Sequence, residues 1–248
     1  MLICGFNKTT LLDYPEHVAA TVFLGGCNFR CPFCQNRDLL LNPADFAAFT
    51  EEEVLAHLKK RRAMLSGVCI TGGEPTIYNR DILENFLTRI KELGYLIKLD
   101  TNGSNPEMLH KLYDAKLIDY VAMDIKAGPS DYMKVVGLEP TDNPLLEKSY
   151  DKILSTVKES VDFLMHETDL SRFTYEFRTT VVRELHNENS FTEIGNWIKG
   201  APRYYLQSYK DSENVLCPGF HAYSKEELEN FANLLRPMIP SVALRGVD

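Results

Sequence analysis

Residues 17–36 read HVAATVFLGGCNFRCPFCQN, and two signals meet inside this stretch. The first, His17 to Leu24, is a short apolar run rich in β-branched residues, the pattern of a strand buried on both faces. The second begins two glycines later, where Cys27, Cys31 and Cys34 stand in CxxxCxxC spacing. A buried strand that runs straight into a ligand-bearing loop is how parallel α/β folds present their sites, at the carboxyl ends of the strands.

Three thiolates on one short loop can ligate three irons of a four-iron cluster and leave the fourth without a protein ligand. An iron with an open position can bind a substrate or cosubstrate, whereas a fully ligated cluster mainly stores or passes electrons. Structural zinc instead wants four ligands, usually as two separated pairs. Cys4, Cys69 and Cys217 are singletons far apart in the chain. His17 or His57 stays open as a fourth zinc ligand. A disulfide framework needs an oxidising compartment and usually a small chain, and neither condition fits.

Outward from this stretch, β-rich runs alternate with amphipathic segments. Strands are expected at 17–24, 68–71, 95–99, 120–125, 173–182 and 204–208, with a short last one at 242–244. Thr50 with Glu53 and Ser224 with Glu227 form capping boxes that open helices. Ile82, Leu83, Phe86, Leu87, Ile90 and Leu93 share helical spacing ahead of Gly94. A long helix is expected over 145–165, after a polar loop containing Pro and Gly. Repeated βα units imply a parallel sheet with right-handed crossovers. About six of them predict an incomplete (β/α)6-type barrel, one domain over residues 1–248.

The composition narrows the function. Thirty-five acidic against 27 basic residues give a net charge of −8. That balance argues against a nucleic acid partner, which needs a concentrated positive surface. The basic run Lys59-Lys60-Arg61-Arg62 ends a predicted helix, where it complements the helix dipole. The opening residues lack the basic region, apolar stretch and cleavage site of a signal peptide. No apolar run nears the ~20 residues that span a bilayer. A cytoplasmic location is expected, with thiols kept reduced.

Every unusual motif falls at the carboxyl end of a predicted strand. Gly72-Gly73-Glu74-Pro75 follows the second, Asp100-Thr101-Asn102-Gly103 the third, and Asp124-Ile125-Lys126 closes the fourth. Gly72 and Gly73 let backbone approach a ligand closely, and Glu74 can accept hydrogen bonds from an ammonium. Asp124 and Lys126 share a strand face opposite Val121, Met123 and Ile125, so they should face the barrel interior. On the fifth strand Thr174, Glu176, Arg178 and Thr180 share a face. Arg178 could hold a carboxylate, with Glu176 neutralising it. Asp100 suits an ammonium or a cation, and Lys98 shares its parity. His57, His110 and His166 read as surface or packing residues, and Cys69 as a buried small hydrophobe.

On these motifs the sequence resembles the radical S-adenosylmethionine (SAM) superfamily. Cys27, Cys31 and Cys34 match its cysteine signature, with Phe33 at the aromatic position, and Gly72-Gly73-Glu74 matches its GGE motif. The resemblance implies a [4Fe-4S] cluster on the three cysteines, whose open iron chelates the amino and carboxylate groups of SAM. It also implies that Phe33 lies against the adenine, and that Gly72, Gly73 and Glu74 receive the methionine ammonium.

More narrowly, the DTNG and DxK runs look like those of glycyl-radical-enzyme activating enzymes. GFNKTTLLDYP followed by GCNFRCPFCQN is most similar to the anaerobic ribonucleoside-triphosphate reductase activating proteins. That group implies Asp100 and Lys126 at the methionine end of SAM, and Asp100, Thr101 and Asp124 as ligands of a monovalent cation. By their place near the end of the sixth predicted strand, Gln207 and Tyr209 are candidates for lining the adenosine pocket. Gln35 and Glu16 depart from the His and Gly that the group often carries there. The implied activity is reductive SAM cleavage to methionine and a 5′-deoxyadenosyl radical, which takes hydrogen from a glycine of a partner enzyme, anaerobic ribonucleotide reductase. A flavodoxin- or ferredoxin-type donor would supply the electron, since cluster potentials reach about −700 mV. Two rival classes are a radical SAM enzyme acting on a small molecule or RNA base, and a zinc-binding module.

Overall fold

The computed structural model describes residues 1–138 and 144–247, with backbone alone for 144–151. Its frame is one eight-stranded sheet in sequential order: β1 (Ile3–Thr10), β2 (Ala19–Leu24), β3 (Gly67–Gly72), β4 (Leu96–Thr101), β5 (Tyr120–Asp124), β6 (Thr174–Val181), β7 (Tyr204–Ser208) and β8 (Val242–Arg245). β1 runs antiparallel to β2, and every later neighbour pair is parallel. The sheet is open, an incomplete parallel barrel as the repeated βα pattern implied.

Between the strands come α1 (Arg37–Leu41), α2 (Glu51–Arg61), α3 (Arg80–Glu92), α4 (Pro106–Asp114), α5 (Tyr132–Val135), α6 (Pro144–His166), α7 (Glu188–Trp197) and α8 (Lys225–Leu235). The Thr50/Glu53 and Ser224/Glu227 capping boxes are present in full, and Asn187 with Ser190 forms a third. Each satisfies orphan donors at a helix start.

The two sheet faces differ in chemistry. Val22, Val68, Ile70, Ile97, Leu99, Val121, Met123, Tyr175, Phe177 and Leu206 point to the helices and carry the main core. The opposite parity forms interior layers that the parallel register aligns. Thr21, Cys69, Lys98 and Tyr120 stand at one level, Asp100, Ala122 and Glu176 at the next, and Asp124 beside Arg178 at the next. The interior is small and polar, with Tyr14, Ala19, Tyr120 and Ala122, backed by Leu96, as an apolar plug.

Three expectations shift. The expected first strand is the second, because β1 had no reading: its ICGFNKTT trails into polar residues, and it gains order by edge pairing with β2. Ile82, placed on the apolar stripe of α3, is 44% exposed, while Leu83, Phe86, Leu87 and Ile90 are buried. The loop expected after the fourth strand contains α5; its residues 139–143 lie outside the described residues.

Candidate active site

β2 ends at Leu24 and the cysteine loop is then tied down from several directions. Gly26 N–H donates to Leu39 O at 2.7 Å, Arg30 N–H to Val136 O at 2.9 Å, and Cys34 N–H back to Cys31 O at 3.0 Å. From the far end of the chain, Leu216 N–H donates to Cys34 O and Cys217 N–H to Pro32 O. Cys27 Sγ accepts Phe29 N–H at 3.4 Å and Asn102 Nδ2 at 3.8 Å. Cys27, Cys31 and Cys34 line one cavity of about 320 Å³ at the carboxyl ends of the strands.

The GGE turn forms the next wall. Gly73 N–H donates to Leu24 O and Glu74 N–H to Gly26 O, both at 2.8 Å, so the turn is zipped onto the cysteine loop. A Cβ at Gly73 would stand 1.8 Å from Gly26 O. One at Gly72, whose φ is +119°, would stand 2.3 Å from Leu24 O. The close approach that demands these glycines is therefore to neighbouring backbone as well as to the cavity.

Glu74 lines the cavity but is 1% exposed and already engaged. Its Oε1 accepts Thr76 N–H at 3.0 Å, Thr76 Oγ1 at 2.6 Å and Thr101 Oγ1 at 2.8 Å; its Oε2 accepts Asn102 N–H at 2.6 Å. Burial pushes its pKa up, against these donors. The carboxylate is a strut that joins the turns after β3 and β4.

The opposite wall is an ion network. Arg178 places Nη1 3.2 Å from Asp100 Oδ2 and Nε 2.9 Å from Asp124 Oδ1. Lys98 donates to the other Asp100 oxygen, and Lys126 Nζ to Asp124 Oδ2 at 2.8 Å. Burying ions costs several kcal/mol each without partners. Here burial opposes the charge on Asp100, yet Arg178 and Lys98 hold its pKa down to about 2. Burial likewise opposes the charge on Lys126, but Asp124 and then Cys31 raise its pKa. Asp100, Asp124, Lys126 and Arg178 line the cavity and balance in charge, while Lys98 supports Asp100 from one layer deeper, outside the lining.

Glu176 supports the charge on Arg178 through space, as a third carboxylate after Asp100 and Asp124, while its direct partners are elsewhere. It is fully buried, gripped by both Arg245 nitrogens at 2.5 and 2.8 Å and by the Tyr120 hydroxyl, one layer deeper.

The donor set fits a cluster. Burial pushes the Cys27 thiol up to about 11 and the Cys31 thiol to about 12, opposed in both by the Lys126 ammonium. Buried thiols of this kind need a metal to ionise at neutral pH. Among the described residues no three His, Cys, Asp or Glu side chains converge on a single-ion site, which is not the arrangement of a closed zinc site. Cys4 donates to Pro43 O, Cys69 is fully buried, and Cys217 is exposed and outside the cavity lining. His17 bonds Ser66 and His57 bonds Lys8 O, away from the loop.

The monovalent cation fits less well. The Thr101 hydroxyl serves Glu74, and the Asp100 and Asp124 carboxylates enclose Arg178. The guanidinium fills the place of the positive charge.

Phe33 and Gln207 line the cavity, whereas Tyr209 is buried outside its lining and donates to Asp211. His186 Nδ1 accepts Val182 N–H, so Nε2 donates to Lys126 O at 2.8 Å and props the strand end. His221 is exposed and pairs with Glu184. Sequence reasoning passed over Asn102, which bonds Cys27 and Asn28, and Asn36, whose amide holds Gly72 O at 3.0 Å. Asn102 lies inside the DTNG run, and that position was the available signal.

The family model of the Radical SAM superfamily matches residues 21–165. Over its full length the chain is 28% identical to a protein of Methanocaldococcus jannaschii named "Putative glycyl-radical enzyme activating enzyme", covering 97% of it. A pyruvate formate-lyase-activating enzyme of Listeria monocytogenes is 30% identical across 46% of this chain and 49% of its own. A 7-carboxy-7-deazaguanine synthase of Neisseria meningitidis is 37% identical across 44% of each. Among solved structures, TYW1 with a lysine-pyruvate adduct bound superposes with a TM-score of 0.55 at 15% identity, covering 88% of this chain and 73% of that one, a likeness of fold.

Proposed function

The chain belongs to the radical SAM superfamily, and from that premise we propose that it is a glycyl-radical-enzyme activating enzyme, with anaerobic ribonucleotide reductase as its partner. The family's cofactors are a [4Fe-4S] cluster and SAM. The activating branch is favoured by a relative of that name matched from end to end, whereas the deazaguanine synthase shares under half of either chain. The ribonucleotide reductase partner rests on the opening GFNKTTLLDYP and on GCNFRCPFCQN.

Cys27, Cys31 and Cys34 would hold the cluster. A cluster held there would supply one-electron reduction of SAM, with the electron drawn from a low-potential flavodoxin- or ferredoxin-type donor, to give methionine and a 5′-deoxyadenosyl radical that would become 5′-deoxyadenosine on taking a glycine hydrogen atom. The protein's task is to orient the cosubstrate and exclude water. The observation that carries this reading is that the three cysteines share one cavity with Lys126 and Arg178, each paired to an aspartate, Asp124 or Asp100, that lines it too. Lys126 and Arg178 would meet the methionine carboxylate, while Asp124 and Asp100 would balance the ammonium and sulfonium end. Phe33 would lie along the adenine, with Gln207 on the adenosine side. Gly72 and Gly73 would border the ammonium, and Glu74 would act by holding their turn.

The whole of 1–248 forms the catalytic unit in this reading, working in the cytoplasm where its thiols stay reduced; among the described residues no helix is long and apolar enough to cross a membrane. The test is anaerobic incubation of reduced enzyme, SAM and an anaerobic ribonucleotide reductase. A glycyl doublet in electron paramagnetic resonance, with one 5′-deoxyadenosine per radical, supports the assignment. SAM cleavage without the doublet, across glycyl-radical partners, would move the chain to the small-molecule branch.

A further inference from the structure

One asparagine, in the turn after β4, touches two of the other motif loops. Asn102 is 5% exposed and lines the cavity that the three cysteines share. Its main-chain N–H donates to Glu74 Oε2 at 2.6 Å, which ties the residue to the GGE turn. Its side-chain Nδ2 lies 3.0 Å from Asn28 Oδ1 and 3.8 Å from Cys27 Sγ, both on the cysteine loop.

The orientation of that amide is set by its neighbours. Asn102 Oδ1 accepts Ser104 N–H at 2.9 Å, and a main-chain N–H can only donate. The oxygen must therefore face Ser104, which turns Nδ2 and its two hydrogens toward the cysteine loop. One hydrogen goes to Asn28 Oδ1 and the other is left for the Cys27 sulfur. Asn28 is held in turn, because its Nδ2 donates to Ser104 Oγ at 2.8 Å. Asn102, Asn28 and Ser104 close a ring of donor-to-acceptor contacts that aims one spare N–H at a ligand sulfur.

The three sulfurs are unequal in this respect. Phe29 N–H, at 3.4 Å, and Asn102 both donate to Cys27 Sγ. Among the described residues these are the hydrogen bonds that reach a sulfur of the triplet. As a neutral thiol, Cys27 lies 4.0 Å from Asn28 Oδ1 and can donate to it. A metal-bound thiolate has no proton to give and is the stronger acceptor, so ligation leaves this sulfur receiving only.

We propose that Asn102 is a positioning residue for the cluster: its side-chain amide donates to the Cys27 sulfur, holds that ligand against the DTNG turn and raises the reduction potential. This rests on the cluster assignment above. Reduction adds a negative charge to a cluster, and donors at its sulfurs stabilise that charge. The asparagine of the DTNG run then acts on the cluster, while Asp100 of the same run belongs to the ion network of the opposite wall.

The experiment is an anaerobic redox titration of cluster-loaded Asn102→Ala beside the wild type, read by the paramagnetic resonance signal of the reduced cluster. The variant keeps the main-chain N–H that Glu74 accepts. It should carry the same iron and sulfide per chain, and its signal should appear at lower potential with altered g values. At a fixed potential the reduced-to-oxidised ratio should fall by about three- to tenfold, tenfold being about 59 mV for one electron. Asn102→Leu, which fills the space without a donor, should shift the potential in the same direction. Ser104→Ala keeps the N–H that orients the amide and should leave the potential in place. Fully loaded Asn102→Ala with unchanged potential and g values overturns the proposal, as does an equal shift in Ser104→Ala. If neither Asn102 variant folds, the wild type with heavy nitrogen confined to asparagine side-chain amides reads the same bond. Pulsed paramagnetic resonance should then show a nitrogen coupling to the reduced cluster, and its absence overturns the proposal. A wild type that binds no iron or sulfide would overturn the cluster assignment, and this proposal with it.

Discussion

Asp124 and Arg178 are direct register partners on adjacent parallel strands, and Arg178 Nε meets Asp124 Oδ1 at 2.9 Å. The same guanidinium reaches Asp100 across β5, so one side chain links three strands at the level where the cavity opens. Its own pKa is raised, because the two aspartates outweigh the opposing effect of burial. Planar, two-sided contact of this kind is particular to arginine.

Arg178 therefore supplies the charge that an external monovalent cation would otherwise bring. SAM affinity of the cluster-loaded enzyme should be unchanged when sodium and potassium are replaced by tetramethylammonium. Arg178→Ala should weaken SAM binding by ten- to a hundredfold, and potassium should restore part of that loss. Calorimetric titration checks both. A strong potassium dependence in the wild type would refute the idea that the guanidinium fills this place.

The same network sets an acid limit on stability. Asp100 has a folded pKa of about 2 against an ordinary 3.8. Because the folded value is the lower one, the ionised carboxylate adds stability at pH above 3.8 and loses it as pH falls toward 2. A shift of this size corresponds to about 2 kcal/mol. Urea unfolding of the metal-free protein should show the loss below pH 4, and Asp100→Asn should flatten that part of the profile. Asp100→Asn should also be less stable at pH 7, since Lys98 and Arg178 lose a partner. An unchanged acid slope in Asp100→Asn would assign the effect to other groups.

The sequence made the repeated frame legible because each buried parallel strand is a short apolar run, and each helix carries its own caps. It also made legible the strand-end residues: period-two alternation alone puts Asp124, Lys126 and Arg178 on the interior face. What escaped reading depends on partners distant in the chain. β1 is ordered by an edge pairing and Glu176 by Arg245 near the C-terminus.

Glu74 offers a test of strut against ligand. Removing it leaves donors from Thr76, Thr101 and Asn102 buried without an acceptor, a loss of about 3 kcal/mol or more. Glu74→Ala should lower the melting temperature of the metal-free protein, in the absence of SAM. A carboxylate that served only the cosubstrate would leave the free protein's stability nearly unchanged and lower SAM affinity alone. Differential scanning calorimetry with and without SAM separates the two.

Gly73 tests whether the GGE turn is packed against the cysteine loop. A methyl at Gly73 would meet Gly26 O at 1.8 Å, so Gly73→Ala must push the loop away from β3. Overpacking of this sort costs about 1–3 kcal/mol or more, and iron content after reconstitution should fall with it. Gly200 has a left-handed backbone, at φ +88°, which Gly73 does not share, and no atom within 4 Å. Gly200→Ala should therefore lower stability slightly and leave iron content intact. Equal iron loss in both variants would point to a general loss of folding in place of a local loop effect.

The cysteines give the sharpest separation between a cluster with an open corner and a closed metal site. Cys31→Ala removes a ligand from the middle of the loop and should abolish iron and sulfide binding, with the far-ultraviolet circular dichroism unchanged. Cys217 is the cysteine whose main chain lies along the loop, through Cys217 N–H to Pro32 O at 2.8 Å, yet its side chain faces solvent. Cys217→Ser should keep full iron, sulfide and SAM cleavage. Loss of the cluster in Cys217→Ser would mean that its sulfur reaches the fourth corner. The open coordination position on which SAM binding depends would then be occupied by the protein itself.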